Sequence, residues 1–429
     1  MKYARIDIET VGFVNQTEKM HINFGDQFQN IIIKDLYKKM GIPEDEIYVL
    51  DFNKITTYDG ETLILPINQA LTHNLANFIS PHIIPVFLGL SRDTSVITEQ
   101  EIEYLKFYSP VGCRDQALYD FLVSKDVKCY LNGCLSLLAE KREGVPDNAV
   151  PYVVDAPRYA MDAMPDELKN NAVFSDNTFY GTYPELTGDD TLETYVRHRY
   201  DEFRQHASVV ITSRMHVASP CIGMGIPVIC VRNNVDYRYS WIDKYIPVYS
   251  EADVDKIDWH PQPVKDVDIF KDKLSNLAIE RIKNTLEINK SCMEITSFYK
   301  EREKTNYEVP QFSRILIDYI KKHWTADDTW EYAIWGENDA SERLYYFLKK
   351  NYPKAKYVAF YDSFKKINYH GIEAQHPSNI LPDDTFIFVT GYTASDAAVE
   401  LFQSIGKKDT TYMVMGGVLR DTAEEHYGV

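Results

Sequence analysis

The sequence predicts an α/β protein with two parallel-sheet units in tandem and a third, smaller α/β domain behind them. Three features lead there. A short apolar strand, a turn and an amphipathic helix recur along almost the whole chain. The strands are near-continuous apolar runs, the pattern of parallel sheets covered on both faces. The rhythm lapses into charged helical sequence over residues 264–304 and restarts at Tyr332. A length of 429 residues allows two or three domains, at a soft prior of about 150 residues each. The expected divisions are 1–147, 148–324 and 325–429.

In the first division, strands are expected at 47–51, 62–67, 82–90 and 109–113, and helices at 26–39 and 116–124. The first helix stops before Gly41 and Pro43, as a helix should. The second series has strands at 151–154, 171–175, 208–211 and 227–231, with helices at 192–206 and 216–224. Two such units imply a cleft between them, and open α/β sheets bind ligands at the carboxyl ends of their strands. A helix at 314–322 follows the charged stretch. The last division reads as strand 332–335, helix 340–350, strands 357–361 and 385–390, helix 394–405 and strand 411–415, a domain of ordinary size.

Composition narrows the function. Lys and Arg number 46 against 64 Asp and Glu, a formal charge of -18. That balance argues against nucleic-acid binding, which needs clustered cations. Any anion site must be a local gathering of Arg and Lys against a repulsive background. The N-terminal stretch has no apolar core of a signal peptide, and no apolar run reaches the roughly 18 residues of a bilayer span. Six cysteines (Cys113, Cys129, Cys134, Cys221, Cys230, Cys292) form no CxxC pair and read as thiols of a reducing compartment. The expected location is cytoplasmic, with peripheral attachment to the inner membrane face as a variant. His198 and His206 do not share a helix face at zinc-pair spacing and read as surface residues. No metal or cofactor is expected, and neither a P-loop nor a nucleophile elbow is present.

The most informative segment runs from Ala207 to Val231. A buried strand ends at Thr212, and Ser213, Arg214 and His216 open a helix. This puts a guanidinium and an imidazole at a strand's carboxyl end, beside helix amides of positive partial charge. The residues alone leave two readings open: Arg214 and His216 cap a packed turn, or they meet a ligand. Further upstream, Asn23, Phe24, Gly25 and Asp26 open the first helix, and Arg114 and Asp115 stand between a strand and a helix. Asp26 reads either as a helix N-cap or as a partner of a substrate hydroxyl. Gly25 would permit a close backbone approach.

These three segments, in this order over residues 20 to 250, resemble the polysaccharide pyruvyl transferase family. The Thr-Ser-Arg-Met-His stretch at 212–216, the Gly-Ile-Pro-Val-Ile-Cys-Val that follows, the Asn-x-Gly-Asp at 23–26 and the Arg-Asp at 114–115 carry the likeness. The resemblance implies two Rossmann-like halves in a glycosyltransferase-B-like arrangement. It implies transfer of pyruvate from phosphoenolpyruvate to a sugar of a surface-polysaccharide precursor, free or lipid-linked, giving a cyclic ketal. His216 is then the general acid/base with Asp26 beside the acceptor hydroxyl. Arg114, Arg214 and Arg238 bind the donor, and Asn23 and Gly25 shape the acceptor loop. The residue types suit this chemistry independently: Arg binds phosphate and carboxylate as a planar fork, and His gives and takes a proton near neutral pH. Two departures stand out. Many family members carry a Lys beyond the Pro-Val-Ile strand, where this chain offers Arg232 or Arg238. Residues 11–20 are an insertion before the first helix, leaving the local strand register open.

The last domain resembles small Rossmann-like modules attached to surface-polysaccharide enzymes, with a turn at Gly336 and an acidic Asp362 where a ribose would be met. Docking or homo-oligomerisation is as good a use for it as ligand binding. Competing readings are a nucleotide-sugar glycosyltransferase and a non-catalytic scaffold of a glycan-synthesis complex. The first usually holds a ribose with Glu in its second half, and residues 216–250 contain none. The retained Arg114, Arg214 and His216 argue against the second.

Overall fold

Apolar runs buried along their length form the centres of the sheets. Leu63–Ile67 is buried at every residue, and Ile83–Leu90 at all but one. They pair in register at the middle of a six-stranded parallel sheet, in the order Ile47–Asp51, Lys2–Asp7, Leu63–Ile67, Ile83–Leu90, Val111–Cys113, Cys129–Leu131. A second parallel sheet orders Val173–Ser175, Val150–Val154, Ala207–Thr212, Val228–Val231 and Val248–Tyr249. The computed structural model describes residues 2–7, 11–14, 17–181, 192–233, 235–285, 295–296, 311–391 and 394–414. No helix among them is long and apolar enough to cross a membrane.

The chain forms two units. The first comprises Met1–Leu71, Leu75–Arg92 and Gln100–Glu308 and holds both of these sheets. Its first helix, Phe24–Lys39, buries Phe28, Ile31, Ile32 and Leu36 on one side, and the Phe28 ring stacks on Tyr200 at 3.9 Å. The helix begins two residues before the expected start, because Asn23 rather than Asp26 is its N-cap, accepting from the Gly25 N–H at 2.9 Å. The inserted residues form an antiparallel ribbon: Val11–Val14 pairs with Thr17–Asn23, which pairs with Thr178–Gly181 from beyond the second sheet's first two strands. Helix Met215–Gly223 packs against the turn at 135–138; a Cβ on Gly223 would lie 2.0 Å from the Leu137 carbonyl oxygen.

The second unit comprises Thr72–Asn74, Asp93–Glu99 and Val309–Val429. Its four parallel strands run in the order Ala355–Tyr361, Trp330–Trp335, Phe386–Val389, Tyr412–Val414. Helix Gln311–His323 belongs here, with Leu316 and Ile320 in the same apolar cluster as Tyr332, Leu344 and Phe388. The expected boundary at 324/325 therefore moves upstream to 308/309. Val96 joins that cluster, and Asp93 pairs with Arg343 at 3.4 Å. Of the charged stretch at 264–304, Val267–Lys283 is helical, while 286–294 and 297–310 lie outside the described residues, as do Cys292 and the expected strand end at Met415.

Candidate active site

Each sheet contributes one strand end. Arg114 follows Val111–Cys113 in the first sheet, held in place because Asp115 caps the next helix, accepting from Leu118 N–H at 2.9 Å and from the Ser91 hydroxyl at 2.7 Å. Burial pushes the Asp115 carboxyl up to about 6, against these hydrogen bonds and the nearby Arg114 charge. His216 is the second residue of Met215–Gly223, entered from Ala207–Thr212 in the second sheet; Tyr200 Oη donates to its carbonyl at 2.6 Å. The third contributor is the start of Phe24–Lys39. Gly25 lies so close to His216 that a Cβ there would sit 2.4 Å from the His216 Cβ. The expected role of Gly25, close approach, is thus met by protein on at least one side.

Arg114 is buried, with 2 % of its surface exposed. Nε donates to Gly89 O at 3.1 Å, and Nη2 donates to Asn68 O at 2.7 Å and to Gln29 Oε1 at 2.7 Å. These bonds take up Nε and both hydrogens of Nη2, the nitrogen common to both edges of the guanidinium, so the expected two-pronged fork is not what Arg114 offers. It offers Nη1, which lies 3.4 Å from His216 Nε2. Among the described residues, no carboxylate makes an ion pair with Arg114. A buried cation satisfied only by neutral acceptors is costly unless an anion arrives.

Arg only donates, so His216 Nε2 accepts and the ring proton belongs on Nδ1. Nδ1 lies 3.8 Å from Asp26 Oδ1, ion-pair range for a charged ring but too long for a hydrogen bond. Burial, then the charges of Arg114 and Arg238, hold His216 well below the usual imidazole range. It is a neutral imidazole at neutral pH, fit to accept a proton first.

Of the expected donor ligands, Arg114 and Arg238 act on His216, but Arg214 is turned elsewhere. Its Nε donates to Asp155 Oδ2 at 2.8 Å, and its side chain is 46% exposed. Arg238 forms a two-point pair with Asp236, at 2.9 and 2.6 Å, and Arg232 reaches the same carboxylate at 3.3 Å. Burial works against the ionised Asp236, yet Arg238 and Arg232 hold its carboxyl below the usual range. Arg232 also donates to Ser213 O at 3.3 Å and to Tyr239 Oη at 2.9 Å. Arg238 is therefore the loop cation whose charge is felt at His216. Asn23 serves as a cap, and Asp26 sits in the first turn of the helix, its side chain 42% exposed.

Sequence reasoning passed over Gln29, Asn68 and Asp236, all buried. Gln29 lies one helical turn from Gly25 and Asp26, and that spacing was the available signal. Asn68 acts through its carbonyl, which no side-chain pattern reveals. In the second unit, Gly336 has φ +101, and the Asp362 carboxylate accepts from Phe364 and Lys365 N–H at 2.9 and 2.8 Å, a local turn rather than an open ribose position. No family model matches the chain, and no curated protein matches it significantly.

Proposed function

We propose that the chain is a ketal-forming pyruvyl transferase of two Rossmann-like halves, glycosyltransferase-B-like in arrangement, acting on a sugar of a surface-polysaccharide precursor. The observation that carries the reading is the buried Arg114 without a carboxylate partner, facing a neutral His216. Such a pair suits a polyanionic donor, and phosphoenolpyruvate carries both a phosphate and a carboxylate. Its arrival would offset the cation charge that suppresses His216, raising the ring's proton affinity. In the overall reaction, the enol methylene of the donor gains a proton and becomes a methyl group. Two sugar hydroxyl oxygens bond to the former enol carbon, that carbon's bond to the phosphate oxygen breaks, and inorganic phosphate leaves. The two hydroxyl protons balance the one gained by carbon and the one carried away on phosphate. His216, with Asp26 near its Nδ1, is the group that takes and gives these protons. Arg238, and Arg214 once released from Asp155, are the further cations for the donor's second charged end.

The test is incubation of the full chain with phosphoenolpyruvate and a panel of lipid-linked and nitrophenyl sugars, measuring released phosphate and a new methyl resonance of the ketal. Acceptor-dependent release of both supports the reading. Sugar transfer from a nucleotide sugar, with phosphoenolpyruvate inert, would replace it with the glycosyltransferase alternative.

A further inference from the structure

We propose that Gln29 is a positioning residue of this site, its amide coupling the Arg114 cation to the Asp26 carboxylate while adding no charge that would neutralise the cation. The inference rests on reading the Arg114–His216 face as an anion site.

The bonding fixes the amide's orientation. Gln29 Oε1 faces Arg114 Nη2 at 2.7 Å, and Cys134 Sγ donates to the same oxygen at 3.8 Å. Gln29 Nε2 faces Asp26 Oδ1 at 3.3 Å and Gly25 O at 3.4 Å. Guanidinium has donors only, while a carboxylate and a carbonyl have acceptors only. The side chain between them must accept at one end and donate at the other, with 1% of its surface exposed. Glu accepts at both ends, Lys donates at its one end, and Asn is a methylene short.

Charge decides the functional consequence. Glu at 29 would place a carboxylate 2.7 Å from Arg114 Nη2 if the geometry were kept. That carboxylate would pair the cation permanently and compete with an incoming anion. The groups facing His216 would then be Arg238, Asp26 and a neutralised Arg114 instead of an unpaired one. Gln29 thus sets the affinity of the site through Arg114, and holds Asp26 in place by the same amide, without touching substrate itself.

The test follows the His216 ring in the ligand-free full chain by NMR, its signal identified by its loss in His216→Gln, together with calorimetric titration by phosphoenolpyruvate. In Gln29→Glu the His216 midpoint should rise by about one pH unit or more, and phosphoenolpyruvate should bind at least about tenfold more weakly. Gln29→Leu removes all of the amide's hydrogen bonds without adding charge. It should weaken binding while leaving the midpoint low. An unchanged midpoint in a folded Gln29→Glu protein overturns the inference. So does wild-type affinity in Gln29→Leu, which decides the matter if the Glu variant does not fold. If wild type binds no phosphoenolpyruvate while the Glu variant still moves the midpoint, Gln29 stands as the charge-setting residue and the donor assignment falls.

Discussion

Arg114 and His216 divide the work by what each can do with a proton. Arg114 cannot lose one, so it forces Nε2 of His216 to accept. Converting His216 to Gln keeps the Tyr200 bond, which goes to the His216 backbone carbonyl, and should leave a folded protein with turnover reduced by about 10²-fold to 10⁴-fold. Phosphate release by the folded variant at the wild-type rate would dismiss His216 from the chemistry. The depressed proton affinity of His216 also predicts a pH effect on stability. The unfolded ring titrates near 6.5 and the folded ring well below it. Between those values the unfolded ring binds more protons, so this ring's contribution to stability rises with pH through that window and levels off above it. The Asp115 carboxyl, raised to about 6, works the other way below that value. Urea unfolding from pH 5 to 7.5 should show a more positive slope in wild type than in His216→Gln; equal slopes would mean that the ring is not buried neutral. Arg114→Lys should weaken phosphoenolpyruvate by about tenfold or more, the worth of one charge-assisted hydrogen bond at ~1.5 kcal/mol. Arg214→Lys should cost less, because Arg214 is half-exposed and engaged by Asp155. A larger loss from Arg214→Lys by calorimetry would reverse that ranking.

At the scale of elements, the site depends on one close helix contact. A methyl added at Gly25 would meet His216 Cβ at 2.4 Å, so helix Phe24–Lys39 and helix Met215–Gly223 must move apart. Gly25→Ala should therefore destabilise by about 1–3 kcal/mol and shift the His216 resonance. A thermal midpoint and a His216 signal identical to wild type would show that the helices are not so tightly apposed. Much of this scaffold was legible beforehand. The expected strand at 47–51 and helices at 116–124 and 192–206 coincide with the observed ones, because apolar periodicity marks them and, at 116–124, the Asp115 cap fixes the start. The start of the first helix was misplaced because Asn23 and Asp26 are both good caps, and only the Gly25 N–H bond distinguishes them. The pairing of Thr17–Asn23 with Thr178–Gly181 was not legible, since it joins segments far apart in sequence. That Arg114 and His216 belong to one site was implied by the family resemblance, whereas the turn of Arg214 toward Asp155 depends on a carboxylate that no local pattern singles out.

For the whole molecule, the chain's two units do not coincide with sequence blocks. Residues 93–99 and 311–323 share the apolar cluster of the second unit through Val96, Leu316 and Ile320. A chain ending at His323 retains the 311–323 helix without the strands that cover it, and should unfold less cooperatively and scatter more light than a chain ending at Glu308. Equal behaviour of the two would mean that this helix needs no partner from residues beyond 323. The central claim, however, is that the first unit holds an anion site made by an unpaired buried cation beside a neutral imidazole. Its most direct test is calorimetric titration of the full chain with phosphoenolpyruvate in two buffers of different ionisation enthalpy, near neutral pH. Saturable binding is predicted, with net uptake of protons as the anion restores the proton affinity of His216, and the uptake should vanish in His216→Gln. Absence of binding, or binding with the same proton balance in wild type and His216→Gln, would contradict it.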